Sequence, residues 1–288
     1  MRWTGGRQSG GIEDRRGLGP AGVGGLGVGG VVLALIGYFV FGINPTTTLQ
    51  AVNGAGGQAE QQEGVRGKVA DKEGQFVDVV ATNVSDVWTQ IFQREGETYR
   101  PPDAVVLYSQ ATGTGCGLGQ AAMGPFYCPS DQKVYLDLSF WQELEGRFGA
   151  QGEAAKAYVI AHEIGHHVQH LLGADQKAQR MGARGAESGS VRLELQADCF
   201  AGVWAAHAAE VSNGQVALEP KDIEDGLRAA AAVGDDTLQR EATGRVAPDS
   251  FTHGSSAQRM HWFRAGVAAG DPTACNTFSS GAISPKPM

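Results

Sequence analysis

The chain has 288 residues, a formal net charge of −8, 43 glycines and four cysteines. A chain of this length can bury a sizeable core in one domain and still carry appended segments. The acidic balance, with no basic stripe, argues against nucleic acid as the main partner, because phosphate binding requires clustered lysine and arginine. Much of the glycine lies in the N-terminal quarter, so the high glycine content is a property of that region more than of the folded domain.

The N-terminal quarter predicts three segments. Residues 1–21 are polar and glycine-rich, which predicts an arm without packed structure. Residues 22–43 are uncharged and predict one transmembrane helix, since about 20 residues at about 1.5 Å each cross a hydrocarbon core. A cleaved signal peptide is the alternative, but the run ends in aromatic residues without a small-residue cleavage site. Residues 44–71 predict a flexible linker.

The flanking charges predict an orientation. Four arginines precede the apolar run, whereas no lysine or arginine follows it until Arg66. Positive charge stays on the cytoplasmic side of a membrane. We therefore expect a single-pass membrane protein with a cytoplasmic arm and with its folded domain, residues 72–288, outside the cytoplasmic membrane.

The folded domain is predicted to be α+β and mostly helical, with a small sheet. Apolar spacing and capping signals predict the elements. The predicted helices are residues 76–92, 140–148, 153–172, 191–211, 220–233 and 256–269, and the predicted strands are residues 104–109 and 134–138.

The central helix, residues 153–172, contains His162-Glu163-Ile164-Gly165-His166. Residues four apart lie on one face of a helix, so His162 and His166 can present two imidazoles to one Zn²⁺ ion. Glu163 can then take a proton from a water on that ion. The alternative is a polar helix face without a metal, and a third ligand would decide between the two.

The next helix offers that third ligand. Glu194 can complete a site of three protein ligands, which leaves a position open as catalytic zinc sites do. Asp198, one turn further on, can accept the N–H of a ligand histidine and fix its tautomer. A solvated pair of like charges is the alternative, although such a pair is mildly unfavourable on a plain helix.

All four cysteines lie in the part predicted to be extracytoplasmic, which favours disulfides over thiols. Three pairings are possible. We favour Cys116–Cys128, which would close a glycine-rich loop, together with Cys199–Cys275, which would tie the C-terminal segment to the helix that carries Glu194. Reduced, buried cysteines are the alternative.

The pattern HEIGHH, followed by ELQADCFAGVW and THGSSAQRMHWFRAG, resembles the bacterial membrane-anchored neutral zinc metallopeptidases, and more distantly the HtpX-type gluzincins. The N-terminal RWTGGRQSGGIEDRRG is similar to the cytoplasmic arm of that family. The resemblance implies a zincin-like domain with His162, His166 and Glu194 as zinc ligands and Glu163 as general base. It also places His253 near the metal, where it could stabilise an oxyanion or act as an inhibitory ligand; a loop histidine without a role is the alternative.

We therefore predict a membrane-anchored zinc endopeptidase that hydrolyses peptides or proteins outside the cytoplasmic membrane. In a zincin-like domain an edge strand can pair with an extended peptide, and residues 134–138 are the candidate for that strand. Two alternatives remain: a zinc-stabilised envelope module that binds proteins, which would close the site with a fourth ligand, and a zinc hydrolase of non-peptide substrates. The oligomeric state is not predicted.

Overall fold

The computed structural model of the chain describes residues 1–18, 63–120, 123–146 and 152–283. The chain divides into two compact units. The helical unit comprises Met1–Ser9, Ala70–Pro101 and Trp141–Met288, and the strand-rich unit comprises Gly10–Val69 and Pro102–Phe140. Elements are numbered below in chain order within the described residues.

The described residues contain eight α-helices. They are α1 (Lys72–Arg94), α2 (Phe140–Gly146), α3 (Glu153–Leu171), α4 (Ala174–Gln179), α5 (Gly189–Val211), α6 (Pro220–Ala232), α7 (Asp235–Thr243) and α8 (Ser256–Ala269). Side chains cap several of these helices: Asp71 accepts from the N–H of Gly74 before α1, and Ser255 and Gln258 form a capping box at the start of α8. The α+β, mostly helical class is confirmed.

Helix α3 is the centre of the helical unit and is buried along most of its length. It ends where the sequence predicts, because Gly173 adopts a left-handed conformation with φ of 70° just after the last turn. Gly165 allows the backbone of α5 to come close: a Cβ atom there would lie 3.3 Å from the Cα of Ala197. The two helices that carry the predicted ligands are therefore packed closely together.

Helices α5 and α8 cross at two facing glycines. A Cβ atom on Gly266 would lie 2.0 Å from the carbonyl oxygen of Cys199, and one on Gly202 would lie 2.2 Å from that of Phe263. Only glycine permits this backbone approach. The Cys199–Cys275 disulfide holds the segment after α8 against α5 at the same place.

The described residues of the strand-rich unit form seven strands in two sheets. The strands are β1 (Ile12–Asp14), β2 (Val65–Arg66), β3 (Ala104–Tyr108), β4 (Ala111–Thr114), β5 (Gly117–Gln120), β6 (Phe126–Cys128) and β7 (Lys133–Asp137). The larger sheet has the order β2-β1-β3-β7-β6, in which β3 lies parallel to both β1 and β7. Strands β4 and β5 form a separate antiparallel pair. Cys116 and Cys128 are joined in a disulfide, as predicted.

A buried ion pair stabilises this larger sheet from inside. Glu13 is 1% exposed and Arg15 is 2% exposed. The guanidinium of Arg15 donates to Glu13 Oε1 at 2.7 Å and to Thr112 and the carbonyl of Gly113. The ammonium of Lys133 lies 2.9 Å from Glu13 Oε2. Burial raises the pKa of Glu13, but the bond from Lys133 and the neighbouring Arg15 lower it more.

The prediction that residues 1–21 form an arm without packed structure is wrong for residues 1–18. Trp3 is buried against Phe76, with ring centroids 5.3 Å apart. Ile12 is also buried, and β1 pairs with β2 and β3. Residues 1–18 therefore belong to the packed structure. Residues 19–21 lie outside the described residues.

The transmembrane part of the predicted fold class is contradicted. Within residues 1–18, 63–120, 123–146 and 152–283, no helix combines the length and the apolar character that crossing a membrane requires. The segment on which the prediction fell, residues 22–43, lies outside those ranges, as do residues 44–62 of the predicted linker.

The predicted helices and the two predicted strands are present, with ends shifted by a few residues. The predicted role of residues 134–138 as an edge strand is wrong, because β7 lies between β3 and β6. The elements that were missed are short: strands β1, β2 and β4 to β6 and helices α4 and α7. Strands of two to four residues show too little alternation to be recognised in a sequence.

Candidate metal centre

The three predicted ligands converge on one point. His162 Nε2 lies 3.1 Å from His166 Nε2 and 3.2 Å from Glu194 Oε2, and His166 Nε2 lies 3.4 Å from Glu194 Oε1. Around a tetrahedral zinc ion with bonds of about 2.0–2.2 Å, ligand atoms lie about 3.3–3.5 Å apart. The spacing of these atoms therefore fits a zinc ion, and two histidines with one glutamate are a ligand set of catalytic zinc sites.

The charges of the site favour a cation at this point. Burial lowers the pKa of His162, but its hydrogen bonds to Asp198 and Glu194 raise it more, to about 10. Burial raises the pKa of Glu194, yet the neighbouring His166 and His253 hold it well below its usual range. An ionised carboxylate thus faces two imidazoles, an arrangement that binds either a proton or a metal ion.

Asp198 contacts His162, the first of the candidate ligands. Its Oδ1 atom lies 3.0 Å from His162 Nδ1, and Asp198 is completely buried. A carboxylate only accepts hydrogen bonds, so the proton of the neutral ring sits on Nδ1 and the Nε2 lone pair is free for a metal.

Arg259 holds Asp198 in place. The guanidinium donates from Nε to Asp198 Oδ2 at 2.8 Å and from Nη2 to Oδ1 at 2.9 Å. The hydroxyl of Tyr158 also donates to Asp198 and accepts from Arg259 at 3.2 Å. Burial raises the pKa of Asp198, but the charge of Arg259 lowers it more, so the carboxylate stays ionised in the interior. Tyr158 was not predicted as a site residue, although its position four residues before His162 places it on the same helix face.

Gln169 contacts the second histidine. Its Oε1 atom lies 2.8 Å from His166 Nδ1, and the side chain is 1% exposed. Gln169 was not predicted as a site residue. Its position three residues after His166, on a helix that is almost wholly buried, was the available signal.

Glu163 is 7% exposed and lies on α3 between the two histidines in sequence. Burial raises the pKa of its carboxyl group, and the neighbouring His162 and His166 oppose this shift.

His253 lies near the cluster but is not part of it. Within the described ranges, the group of side chains that could hold a metal consists of His162, His166 and Glu194. Burial lowers the pKa of His253, whereas the charges of Glu194 and Asp235 raise it more. The loop is fixed by Asp235, whose Oδ2 accepts from the N–H groups of Thr252, His253 and Gly254 at 2.7–2.9 Å.

The remaining histidines near the site make other contacts. His167 Nε2 lies 2.7 Å from the carbonyl oxygen of Arg100, and His170 Nδ1 lies 2.9 Å from Asp175. His207 Nε2 lies 2.7 Å from the carbonyl oxygen of Gly270. Cys199, five residues from Glu194, is in its predicted disulfide with Cys275.

The fold and the candidate ligand set define a protein with a His₂Glu group that could hold a metal ion. Two of its members lie on the helix that carries the HEXXH pattern, and the third lies on α5. The chain belongs to the family described as "Putative neutral zinc metallopeptidase", whose model matches residues 1–278. It is similar to "Uncharacterized protein YpfJ" of Escherichia coli, with 44% identity over 296 aligned positions that cover 96% of this chain and 99% of that protein.

The chain also resembles two mycobacterial proteins over a shorter region. It is 54% identical over 181 residues to "Uncharacterized protein Rv2575" of Mycobacterium tuberculosis and to "Uncharacterized protein Mb2605" of Mycobacterium bovis, covering 60% of this chain and 61% of each relative. No solved structure matches the chain significantly.

Proposed function

We propose that the chain is a zinc-dependent endopeptidase. The observation that carries this proposal is the convergence of His162, His166 and Glu194 to within 3.1–3.4 Å of one another, with Glu163 buried on the same helix. When bound there, zinc supplies a Lewis acid that polarises a carbonyl group and makes water acidic near neutral pH.

The chain's own residues supply the proton transfers. Glu163 accepts the proton of the attacking water and passes it to the amine that leaves when the peptide bond breaks. His253 can donate a hydrogen bond from its ring to the oxygen on which negative charge develops, and Asp235 holds its backbone for that task. The ring of His253 is 38% exposed, so a substrate can reach it.

A purely structural zinc site would close with four protein ligands, and a binding module would need such a site. The ligand cluster found in the described ranges has three members. This composition favours the enzyme over the binding module.

The test compares the full chain with its Glu163→Gln variant. We expect about one zinc ion per chain in both proteins, and cleavage of an unfolded protein by the wild type alone, with a loss of at least about 100-fold in the variant. Removing the metal with a chelator should abolish cleavage, and adding zinc should restore it. Zinc binding without cleavage, or cleavage that survives the substitution, would contradict the proposed mechanism.

We further propose that the protein works in an oxidising compartment outside the cytoplasm. Two disulfides support this, because such bonds rarely persist among cytoplasmic thiol reductants. Protein isolated from its own cells under alkylating conditions should carry no alkylated cysteine unless it is first reduced. Four alkylated cysteines would contradict the proposed location.

A further inference from the structure

The two ligand histidines are oriented by different chemistry. Asp198, an ionised carboxylate paired with Arg259, accepts from His162. His166 instead meets a neutral amide, Gln169. An amide can present either its oxygen or its nitrogen to a ring nitrogen, so its direction must be fixed by something else.

Two backbone carbonyl groups fix that direction. Gln169 Nε2 donates to the carbonyl oxygen of Leu193 at 2.7 Å and to Gln196 Oε1 at 3.1 Å. Gln196 Nε2 in turn donates to the carbonyl oxygen of Cys275 at 3.0 Å. A carbonyl oxygen can only accept, so each amide must direct its NH₂ group towards the carbonyl oxygen it contacts.

It follows that Gln169 presents its oxygen to His166. Both of its N–H donors are used on Leu193 and Gln196, and Oε1 lies 2.8 Å from Nδ1 of the ring. The neutral ring must then carry its proton on Nδ1, which leaves the Nε2 lone pair directed at the ligand cluster.

The far end of this chain of bonds is held firmly. The carbonyl of Cys275 belongs to the turn Pro272–Cys275, and the Cys199–Cys275 disulfide ties that turn to α5. Leu193 immediately precedes the ligand Glu194 on the same helix. The amides therefore connect His166 to the backbone of the helix that supplies the third ligand.

We propose that Gln169 and Gln196 are positioning residues that set the tautomer of His166 and thereby the affinity for zinc. This inference rests on the proposed zinc site. Neither residue touches the reacting atoms. Gln169 acts on the ring directly, and Gln196 acts by fixing which way Gln169 points.

The test uses the full chain with Gln169→Leu, Gln196→Leu and, as a matched control, Gln93→Leu on the exposed face of α1. Zinc affinity is measured by competition with a chelator. We expect Gln169→Leu to weaken binding about 10- to 100-fold. Gln196→Leu should weaken it about fivefold, since it removes neutral hydrogen bonds one step further away. Gln93→Leu should bind as the wild type does.

A second readout separates positioning from a general loss of structure. In the metal-free chain, ¹⁵N NMR of the imidazole rings should show the proton of neutral His166 on Nδ1 in the wild type. In Gln169→Leu it should shift towards Nε2, while the ¹⁵N signals of the His162 ring stay as in the wild type. If Gln169→Leu does not fold, zinc affinity and the His166 tautomer are both measured on Gln196→Leu.

The outcomes distinguish the two proposals. The positioning role is overturned if the wild type binds zinc tightly and a folded Gln169→Leu or Gln196→Leu variant has the same zinc affinity and the same His166 tautomer. A wild type that does not bind zinc overturns the proposed zinc site itself.

Discussion

Each unit has a buried arginine–carboxylate pair among its described residues. Asp198 and Arg259 are 0% and 3% exposed, and Glu13 and Arg15 are 1% and 2% exposed. Both carboxylates have a lowered pKa, and in both cases an arginine contributes to the lowering. Judged by burial and by ion pairing alone, the two pairs would have the same role in the protein.

The partners of the carboxylates differ. Asp198 accepts a hydrogen bond from His162, one of the three side chains of the candidate metal centre. Glu13 contacts Lys133, Arg66 and the N–H of Gly64, all of which lie in or beside the strands. A buried ion pair is therefore not itself a sign of function. In the helical unit it orients a ligand, and in the strand-rich unit it joins strands.

The largest expected effect comes from breaking the pair at the metal centre. Arg259→Leu leaves Asp198 as an uncompensated buried charge and should lower the free energy of unfolding by about 3–5 kcal/mol. Because Asp198 then no longer holds His162 firmly, zinc affinity should also fall about 10- to 100-fold. Denaturant unfolding and chelator competition on the same protein measure both. A variant that loses stability but binds zinc normally would show that Arg259 has no influence on the ligand.

The same change in the other pair should affect stability alone. Arg15→Leu leaves Glu13 buried with weaker compensation from Lys133 and should cost about 3 kcal/mol of unfolding free energy. Zinc affinity should stay within about twofold of wild type, since no ligand depends on Glu13. A loss of zinc affinity comparable to that of Arg259→Leu would mean that the two pairs are coupled. The two pairs would then not differ in their effect on zinc binding.

The pair at the metal centre can also be disturbed through the backbone. Gly266→Ala places a Cβ atom 2.0 Å from the carbonyl oxygen of Cys199, so α5 and α8 must move apart. We expect a loss of about 1–3 kcal/mol and a smaller loss of zinc affinity than in Arg259→Leu. Gly146→Ala is the matched control, because a Cβ atom there meets nothing within 4 Å. Equal effects of the two substitutions would rule out the helix crossing as the cause.

The smallest effect concerns the pH dependence of the strand-rich pair. The pKa of Glu13 is lowered in the folded chain, so Glu13 adds stability above its unfolded pKa, and this stability is lost as the pH falls through the folded value. The difference in unfolding free energy between wild type and Glu13→Gln should therefore be largest near pH 6 and shrink below about pH 4. A difference that stays constant down to pH 3 would show that the charge of Glu13 is not what stabilises the sheet.

Much of the metal centre could be predicted because its determinants are local in sequence. The spacing of His162 and His166 depends only on helical geometry, and Glu194 and Asp198 repeat that spacing on a second helix. The two disulfides followed from four cysteines and an expected oxidising compartment. Gln169 and Tyr158 were missed because glutamine and tyrosine occur on any helix, and only the packing of α3 shows what they touch.

The N-terminal region was predicted least well. Its glycine-rich, polar composition is typical of an unpacked arm, and no periodicity indicates a strand at Ile12–Asp14. The residues that pair with it lie about fifty and ninety positions further along the chain, in β2 and β3. Short strands owe their stability to such partners rather than to their own propensity.

The sequence by itself predicted the candidate ligands, because two histidines at helical spacing and a glutamate on the next helix are typical of a metal site. It also determined the principal helices, because apolar periodicity and capping depend on residues that are close together in the sequence. Only the tertiary structure decided that Gln169 contacts His166, where the N-terminal segment packs and which buried ion pair lies beside the candidate ligands. Those features depend on contacts between residues far apart in the chain, and such contacts produce no periodic pattern in the sequence.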